Sequence, residues 1–260
     1  MRFSANLTLL FTEMPMLQRF AAAKRAGFDG VEILFPYDLA TKDLSRAAIA
    51  AGTDVVLINC PPPNWAGGPR GFAAEPDMVD RFRRDFDRSL RVAEALRARH
   101  IHVMAGKAEG DAARDCMVEN LRWATARAPH ASLTIEPINR DTMPGYFLCD
   151  FDQAAGIIAE VAAPNLSLQF DTFHAQAITG DVAATFAAHR PLIRHIQIGA
   201  YPGRTEPGPG AIDFPAFFAA VRASRYRGWI SAEYNPAGMT TDGLGWLADE
   251  SRASSQGDAR

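Results

Sequence analysis

Short apolar, β-branched runs alternate with longer amphipathic stretches about eight times along the 260 residues, roughly 32 residues per repeat. No other feature of the chain constrains its fold as tightly. Two strands can lie parallel only if the connection crosses back over the sheet, and a stretch of this length holds the helix that does so. The expected fold is therefore α/β: a (β/α)8 TIM barrel, one domain over residues 1–250, with 251–260 as a flexible C-terminal tail lacking apolar anchors. Strands are predicted at Arg2–Thr8, Gly30–Leu34, Asp54–Ile58, His100–Met104, Ser132–Ile135, Leu166–Phe170, His195–Ile198 and Trp229–Glu233. Between the sixth and seventh strands one helix is expected, about Asp181–His189, and a last helix is expected to start within Thr241–Ala248. Pro76–Arg99 reads as the longest helix, with Phe82, Phe86, Leu90, Ala93 and Leu96 on one face.

Composition narrows the functional classes. A net charge of −3 leaves no electrostatic footprint for nucleic acid, and no apolar run approaches the roughly 20 residues that span a bilayer. The opening MRFSANLTLLF reads as a first strand and not as a signal peptide, so the expected compartment is the cytoplasm. Cys60, Cys116 and Cys149 lack metal-type spacing and are read as reduced thiols. Nucleophile elbow, Walker loop and dinucleotide fingerprint are all missing. The partner expected is a small molecule, and the sequence is compatible with a homo-oligomer.

Polar residues interrupt four consecutive strands near their C-terminal ends. Glu136 follows Leu133-Thr134-Ile135, Asp171 follows Phe170, Gln197 lies within His195–Ile198, and Glu233 follows Ala232. Their separations, 35, 26 and 36 residues (136 to 171 to 197 to 233), each match about one repeat, which places them on one rim of the barrel. Three carboxylates facing one another repel, and a divalent cation removes that strain. The four are expected to converge on one ion. All-oxygen donors, with Gln197 supplying a neutral carbonyl, favour Mg²⁺ or Mn²⁺.

Other candidates lie in the same rim loops. His174, three residues past Asp171, could ligate the metal or hydrogen-bond substrate. Arg70, Lys107 and Arg204 could pair with an anionic substrate group. The irregular Asn59–Glu75, with four prolines and three glycines, is expected to form a lid or one wall of the site, Trp65 included. His100, His102 and His195 are expected to be core histidines with backbone partners. A metal chelating a hydroxyl and an adjacent carbonyl acidifies the shared C–H and stabilises the enediolate. Glu136 and Glu233 could then move a proton between neighbouring carbons, which is aldose–ketose isomerisation, or epimerisation if the proton returns to the same carbon.

SANLTLLFTEMP, AGFDGVEILFPY, HVMAG, IEPIN with RDTMPGYFL, QFDTFH, HIQIGAYPGRTEPG and AEYNP together resemble the hydroxypyruvate isomerases, within the larger xylose isomerase-like barrel superfamily. The resemblance runs from Phe3 to Asn235. It implies that Glu136, Asp171, Gln197 and Glu233 are metal ligands and that Glu136 and Glu233 are the acid–base pair. Sugar epimerases of the superfamily carry His where this chain has Gln197, which points to the isomerase branch. Two loops depart from the family pattern: Gly68-Pro69-Arg70-Gly71 stands where GERG is usual, and Ala211 replaces a Glu. The implied reaction interconverts hydroxypyruvate and tartronate semialdehyde. The alternatives are a 2-oxotetronate isomerase, a sugar or polyol epimerase or dehydratase, and a non-catalytic sugar-acid binder.

Overall fold

The structure, a computed structural model, describes residues 1–60 and 70–257, with side chains as far as residue 252. Most of the predicted lid, Trp65 included, lies outside the described residues, as does the end of the predicted tail.

Eight parallel strands close into a barrel in sequence order. They are β1 (Arg2–Asn6), β2 (Gly30–Glu32), β3 (Asp54–Asn59), β4 (His100–His102), β5 (Ser132–Ile135), β6 (Leu166–Asp171), β7 (Ile193–Ile198) and β8 (Trp229–Ala232). β8 pairs with β1 from Arg2 opposite Trp229 to Ala5 opposite Ala232, so no strand edge is exposed. The helices among the described residues are α1 (Met16–Arg25), α2 (Thr41–Ala51), α3 (Val79–Leu96), α4 (Gly110–Arg127), α5 (Phe151–Val161), α6 (Thr172–Thr179), α7 (Val182–His189), α8 (Phe214–Ala223) and α9 (Gly245–Gly257).

Helix boundaries follow local chemistry. Asp150, Asp181 and Asp213 each accept a hydrogen bond from the backbone N–H three residues on, which starts α5, α7 and α8. α3 buries Phe82, Phe86, Leu90, Ala93 and Leu96 against the barrel, as its periodicity predicts. Two segments differ from the sequence reading. α6 forms directly after β6 because Asp171 caps it, accepting from Phe173 N at 2.7 Å; Gly180, at φ +76°, ends it before α7 begins. α9 begins at Gly245, within the stretch expected to start the last helix, and carries helical backbone on to Gly257, into the residues expected to be a flexible tail.

Apolar strand residues such as Val31, Ile101, Leu133, Leu168 and Ile196 belong to the main hydrophobic core. A second set of strand side chains is polar and equally buried: Asn6, Glu32, Thr134, Gln169, His195 and Gln197. These six bond to one another from different strands, giving the barrel a hydrogen-bonded polar centre where branched aliphatic layers are usual. Register shifts at Val31/Glu32 and Leu168/Gln169 sit where that centre meets the rim, and such bulges re-aim the side chains beside them. The loop after β3 is pinned by Gly71, which bridges Ala105 at φ +85°; a Cβ there would lie 2.2 Å from Met104 O.

Candidate active site and metal centre

The four residues predicted at the C-terminal ends of strands all come to the rim, and all are buried. Glu136 follows β5, Asp171 ends β6 and caps α6, Gln197 sits on β7 opposite Asp171 in register, and Glu233 follows β8. Glu136, Asp171 and His174 offer ligand atoms that all lie within 4.8 Å of one another.

Arg204 ties this cluster together. It lies in the loop after β7 at φ +48°. Its Nη2 donates to Asp171 Oδ2 at 2.7 Å and to Glu233 Oε1 at 2.8 Å. The guanidinium packs 4.9 Å from the Phe173 ring centroid. Glu136 Oε2 instead accepts from Gln169 Nε2 at 3.0 Å, and the same amide nitrogen donates to Gln197 Oε1 at 2.7 Å. Gln197 Nε2 donates to Glu32 Oε1 at 2.9 Å. Gln169 and Glu32 thus hold the ligand candidates from beneath.

Burial dominates the electrostatics. It pushes the Glu136 carboxyl well above the usual range, and repulsion from Asp171 and Glu233 adds to the rise. Asp171 and Glu233 are raised to about 7 by burial, with Arg204 pulling both back down. Glu32 is raised to about 7 by burial, against hydrogen bonds from Gln197, Ser231 and Asn6. Burial depresses His102 and His195 to about 3, so both rings are neutral at pH 7. The 3.5 Å approach of His102 Nδ1 to Glu136 Oε2 is therefore a polar contact and not an ion pair.

The orientation of His174 follows from a fixed chain of donors. Thr142 N–H donates to Asn139 Oδ1, which sets the Asn139 amide. Asn139 then directs both its Nδ2, at 2.8 Å, and its backbone N–H, at 3.3 Å, to His174 Nδ1. Nδ1 is thus the acceptor. Burial, reinforced by Arg204, drives the imidazole pKa well below its ordinary value. A neutral ring whose Nδ1 accepts carries its proton on Nε2. Arg204 Nη1 lies 3.3 Å from that Nε2, a contact that is a hydrogen bond only where Nε2 accepts, so in this tautomer the two N–H groups face each other. Metal ligation through Nε2 would require the other tautomer.

His174 and Arg204 therefore join the carboxylates, whereas Arg70 and Lys107 do not. Arg70 is exposed, with its guanidinium 5.8 Å from the Phe35 ring. Lys107 is exposed on the loop after β4, where its backbone N–H meets Glu75. The expectation of backbone partners for three histidines is corrected: His195 Nε2 bonds Glu32 Oε2 at 2.9 Å, His100 Nδ1 bonds Ser132 Oγ at 2.9 Å, and His102 has no hydrogen-bond partner among the described residues. Glu32, Asn139 and Gln169 were missed as site residues. Glu32 is an acid inside an apolar run, between Val31 and Ile33-Leu34, and Gln169 sits two residues before Asp171 on the same strand face.

Residues 20–250 match the family described as xylose isomerase-like TIM barrel. The chain belongs to that family. It is 42% identical to the 2-oxo-tetronate isomerase of Cupriavidus necator, covering 95% of this chain and 97% of that one. It is 36% identical to the hydroxypyruvate isomerase of Escherichia coli, covering 95% and 98%. A solved Brucella melitensis structure, titled AP endonuclease, family 2, superposes with a TM-score of 0.92 at 40% identity over 95% of this chain and 98% of that one. The protein is an enzyme of the isomerase class, of the aldose–ketose type, acting on a small molecule. Its carboxylate–imidazole cluster is of a kind that can hold a metal ion. No helix among the described residues is long and apolar enough to cross a membrane.

Proposed function

We propose that the enzyme interconverts hydroxypyruvate and tartronate semialdehyde, with Glu136 and Glu233 as its acid–base pair. One observation carries the reading: two buried carboxyls, both held above the usual carboxylate range, lie at one rim beside Arg204, which donates to Glu233. A carboxyl whose pKa lies near the working pH can both take and return a proton. One Glu takes a proton from the CH₂OH carbon, and a proton is returned to the adjacent carbon. The hydroxyl proton passes to the neighbouring oxygen, so nothing is gained or lost overall. Gln169 holds Glu136 in place through Oε2. Glu233 Oε2 is buried and has no hydrogen-bond partner among the described residues, an atom left for a proton or a cation. Arg204 Nη1 and His174 Nε2–H are the donors for an anionic substrate oxygen, and in this reading they hold the substrate carboxylate or the developing oxyanion.

The donor set fits a hard divalent ion: Glu136, Asp171 and Glu233, with the Gln197 amide oxygen as the neutral fourth group. We take the ion to be Mg²⁺ or Mn²⁺. Bound there, it supplies positive charge against the enediolate that develops during proton transfer. The oxygen-rich cluster around one imidazole, in a chain of net charge −3, favours an isomerase over the nuclease named in the Brucella title. Three free thiols fit a reducing compartment, and we place the enzyme in the cytoplasm.

The second reading is isomerisation of 2-oxotetronate, one carbon longer, favoured by relatives of that name at 42% and 39% identity. Metal-stripped protein is incubated in D₂O with either acid, with and without Mg²⁺ or Mn²⁺, and the carbons are followed by NMR. Tartronate semialdehyde carrying deuterium on its hydroxyl-bearing carbon supports the main reading. Conversion of 2-oxotetronate alone moves the substrate to the second. The absence of product and of deuterium incorporation with both acids rules out both readings.

A further inference from the structure

At the opposite end of the barrel, where the strands begin, the surface is concave and strongly basic. A recess of about 430 Å³ is lined by Arg2, Arg99, Arg190, Arg194, Arg225 and Arg227, and no Asp or Glu among the described residues lines it. Trp229, Tyr226 and His100 are also in its lining. The six cations come from separate parts of the chain: the first residues of β1 and β7, the turn before β4, and the turns leading into β7 and β8. Only the folded barrel gathers them. The chain as a whole carries a net charge of −3, so the cluster is not a by-product of a basic composition.

Counter-charges are scarce there. Arg99 pairs with Asp54 at 3.1 Å. Arg2, Arg190, Arg194, Arg225 and Arg227 have no carboxylate partner among the described residues. Several are nevertheless held in place by neutral groups. Arg2 stacks 4.5 Å from the Trp229 ring centroid and donates to Arg227 O. Arg190 stacks 5.0 Å from the Tyr226 ring and donates through Nε to Ser224 Oγ at 3.0 Å. Arg194 donates to Pro191 O at 2.9 Å. The Tyr226 phenol, whose pKa burial drives up, is pulled back by the charges of Arg190, Arg194 and Arg2. Guanidinium groups fixed on aromatic faces lose little freedom when they bind, and their forked N–H donors match the oxygens of a phosphate.

We propose that this recess is a binding site for a phosphate-bearing small molecule, separate from the catalytic rim. Its volume suits a ligand between a sugar phosphate and a nucleotide in size. Arg194 and Arg227, one at the start of β7 and one in the turn before β8, supply two of the phosphate contacts. The isomerase carboxylates play no part in it, so the site stands whether or not the proposed substrate is right.

The test is thermal unfolding and calorimetric titration of the whole chain in chelator at low salt, with inorganic pyrophosphate and ADP as separate probes. Binding raises Tm by roughly 5–10 °C at about a hundredfold excess over Kd. A larger response to ADP than to pyrophosphate identifies a ligand with an organic part, and the reverse identifies the bare anion. Arg194→Ala with Arg227→Ala weakens binding about a hundredfold, while isomerase turnover is unchanged. The control Arg84→Ala with Arg91→Ala, both exposed on α3, removes the same charge and leaves binding within about twofold. The Lys versions of Arg194 and Arg227 keep the charge and lose the fork, and they also bind more weakly than wild type. No response to either probe overturns the proposal. So does an equal loss in the α3 control, or a response given by a nucleic acid strand but by neither small phosphate.

Discussion

Replacing Arg204 by Met tests whether the rim carboxylates are held by charge or by shape. Met keeps an unbranched stem against Phe173 and removes the guanidinium that bridges Asp171 and Glu233 at 2.7 and 2.8 Å. The Asp171 side chain is fully buried and that of Glu233 is 9% exposed, so water cannot replace the lost partner. Removing one member of such a buried pair costs about 3–5 kcal/mol. In a protein of this size that lowers Tm by roughly 6–20 °C. The sign with pH follows from the raised pKa values. Asp171 and Glu233 are at about 7 when folded, above the roughly 4 of an unfolded carboxylate, so the native state binds more protons across that window. Their contribution is fully present at low pH and is lost as pH rises through 7. Without Arg204 the folded values climb further. The Tm gap between Arg204→Met and wild type in chelator is therefore small near pH 5 and grows towards pH 8. Saturating Mg²⁺ or Mn²⁺ supplies the missing charge and narrows the gap at pH 8. A gap independent of pH, or one that the cation leaves unchanged, refutes the charge argument.

Three further outcomes follow from the same geometry. Glu136→Gln and Glu233→Gln each remove one member of the proton-transfer pair and lower turnover about 10²–10⁴-fold, measured as product formation and solvent deuterium uptake; a residual rate within tenfold of wild type for either removes that residue from the pair. Asn139→Asp puts an acceptor where His174 Nδ1 now receives two N–H donors, one of them the Asn139 side chain, so ¹⁵N NMR of the imidazole shows the proton moving from Nε2 to Nδ1 and kcat falls; an Nδ1–H spectrum in the wild type contradicts the assigned tautomer, and an unchanged Nε2–H spectrum in the variant refutes its control by Asn139. Gly71→Ala drives a Cβ to 2.2 Å from Met104 O at φ +85°, and the strain costs about 1–3 kcal/mol in denaturant unfolding; wild-type stability would mean that the bridge to Ala105 is not rigid.

The candidate site was legible because its carboxyls stand where apolar strands stop. Glu136, Asp171 and Glu233 each follow a strand with apolar residues, and a period of one repeat carries them to the same rim. Glu32 lies inside its apolar run and gives no such mark, and its partners Asn6, His195 and Gln197 lie 26, 163 and 165 residues away in sequence. Arg70, Lys107 and Arg204 were indistinguishable as loop cations. The fold sends one of them into the site and leaves the other two at the surface.

The sequence by itself determined the barrel and the rim at which Glu136, Asp171, Gln197 and Glu233 gather, since these rest on local periodicity and on which residue types interrupt it. The tertiary structure alone decided which charge compensates which. It set Arg204 on Asp171 and Glu233, fixed the His174 proton through Thr142 and Asn139, filled the barrel centre with bonded polar groups, and gathered six arginines at the far mouth. Burial and long-range hydrogen bonding act between residues far apart along the chain, and no local pattern records such a distance.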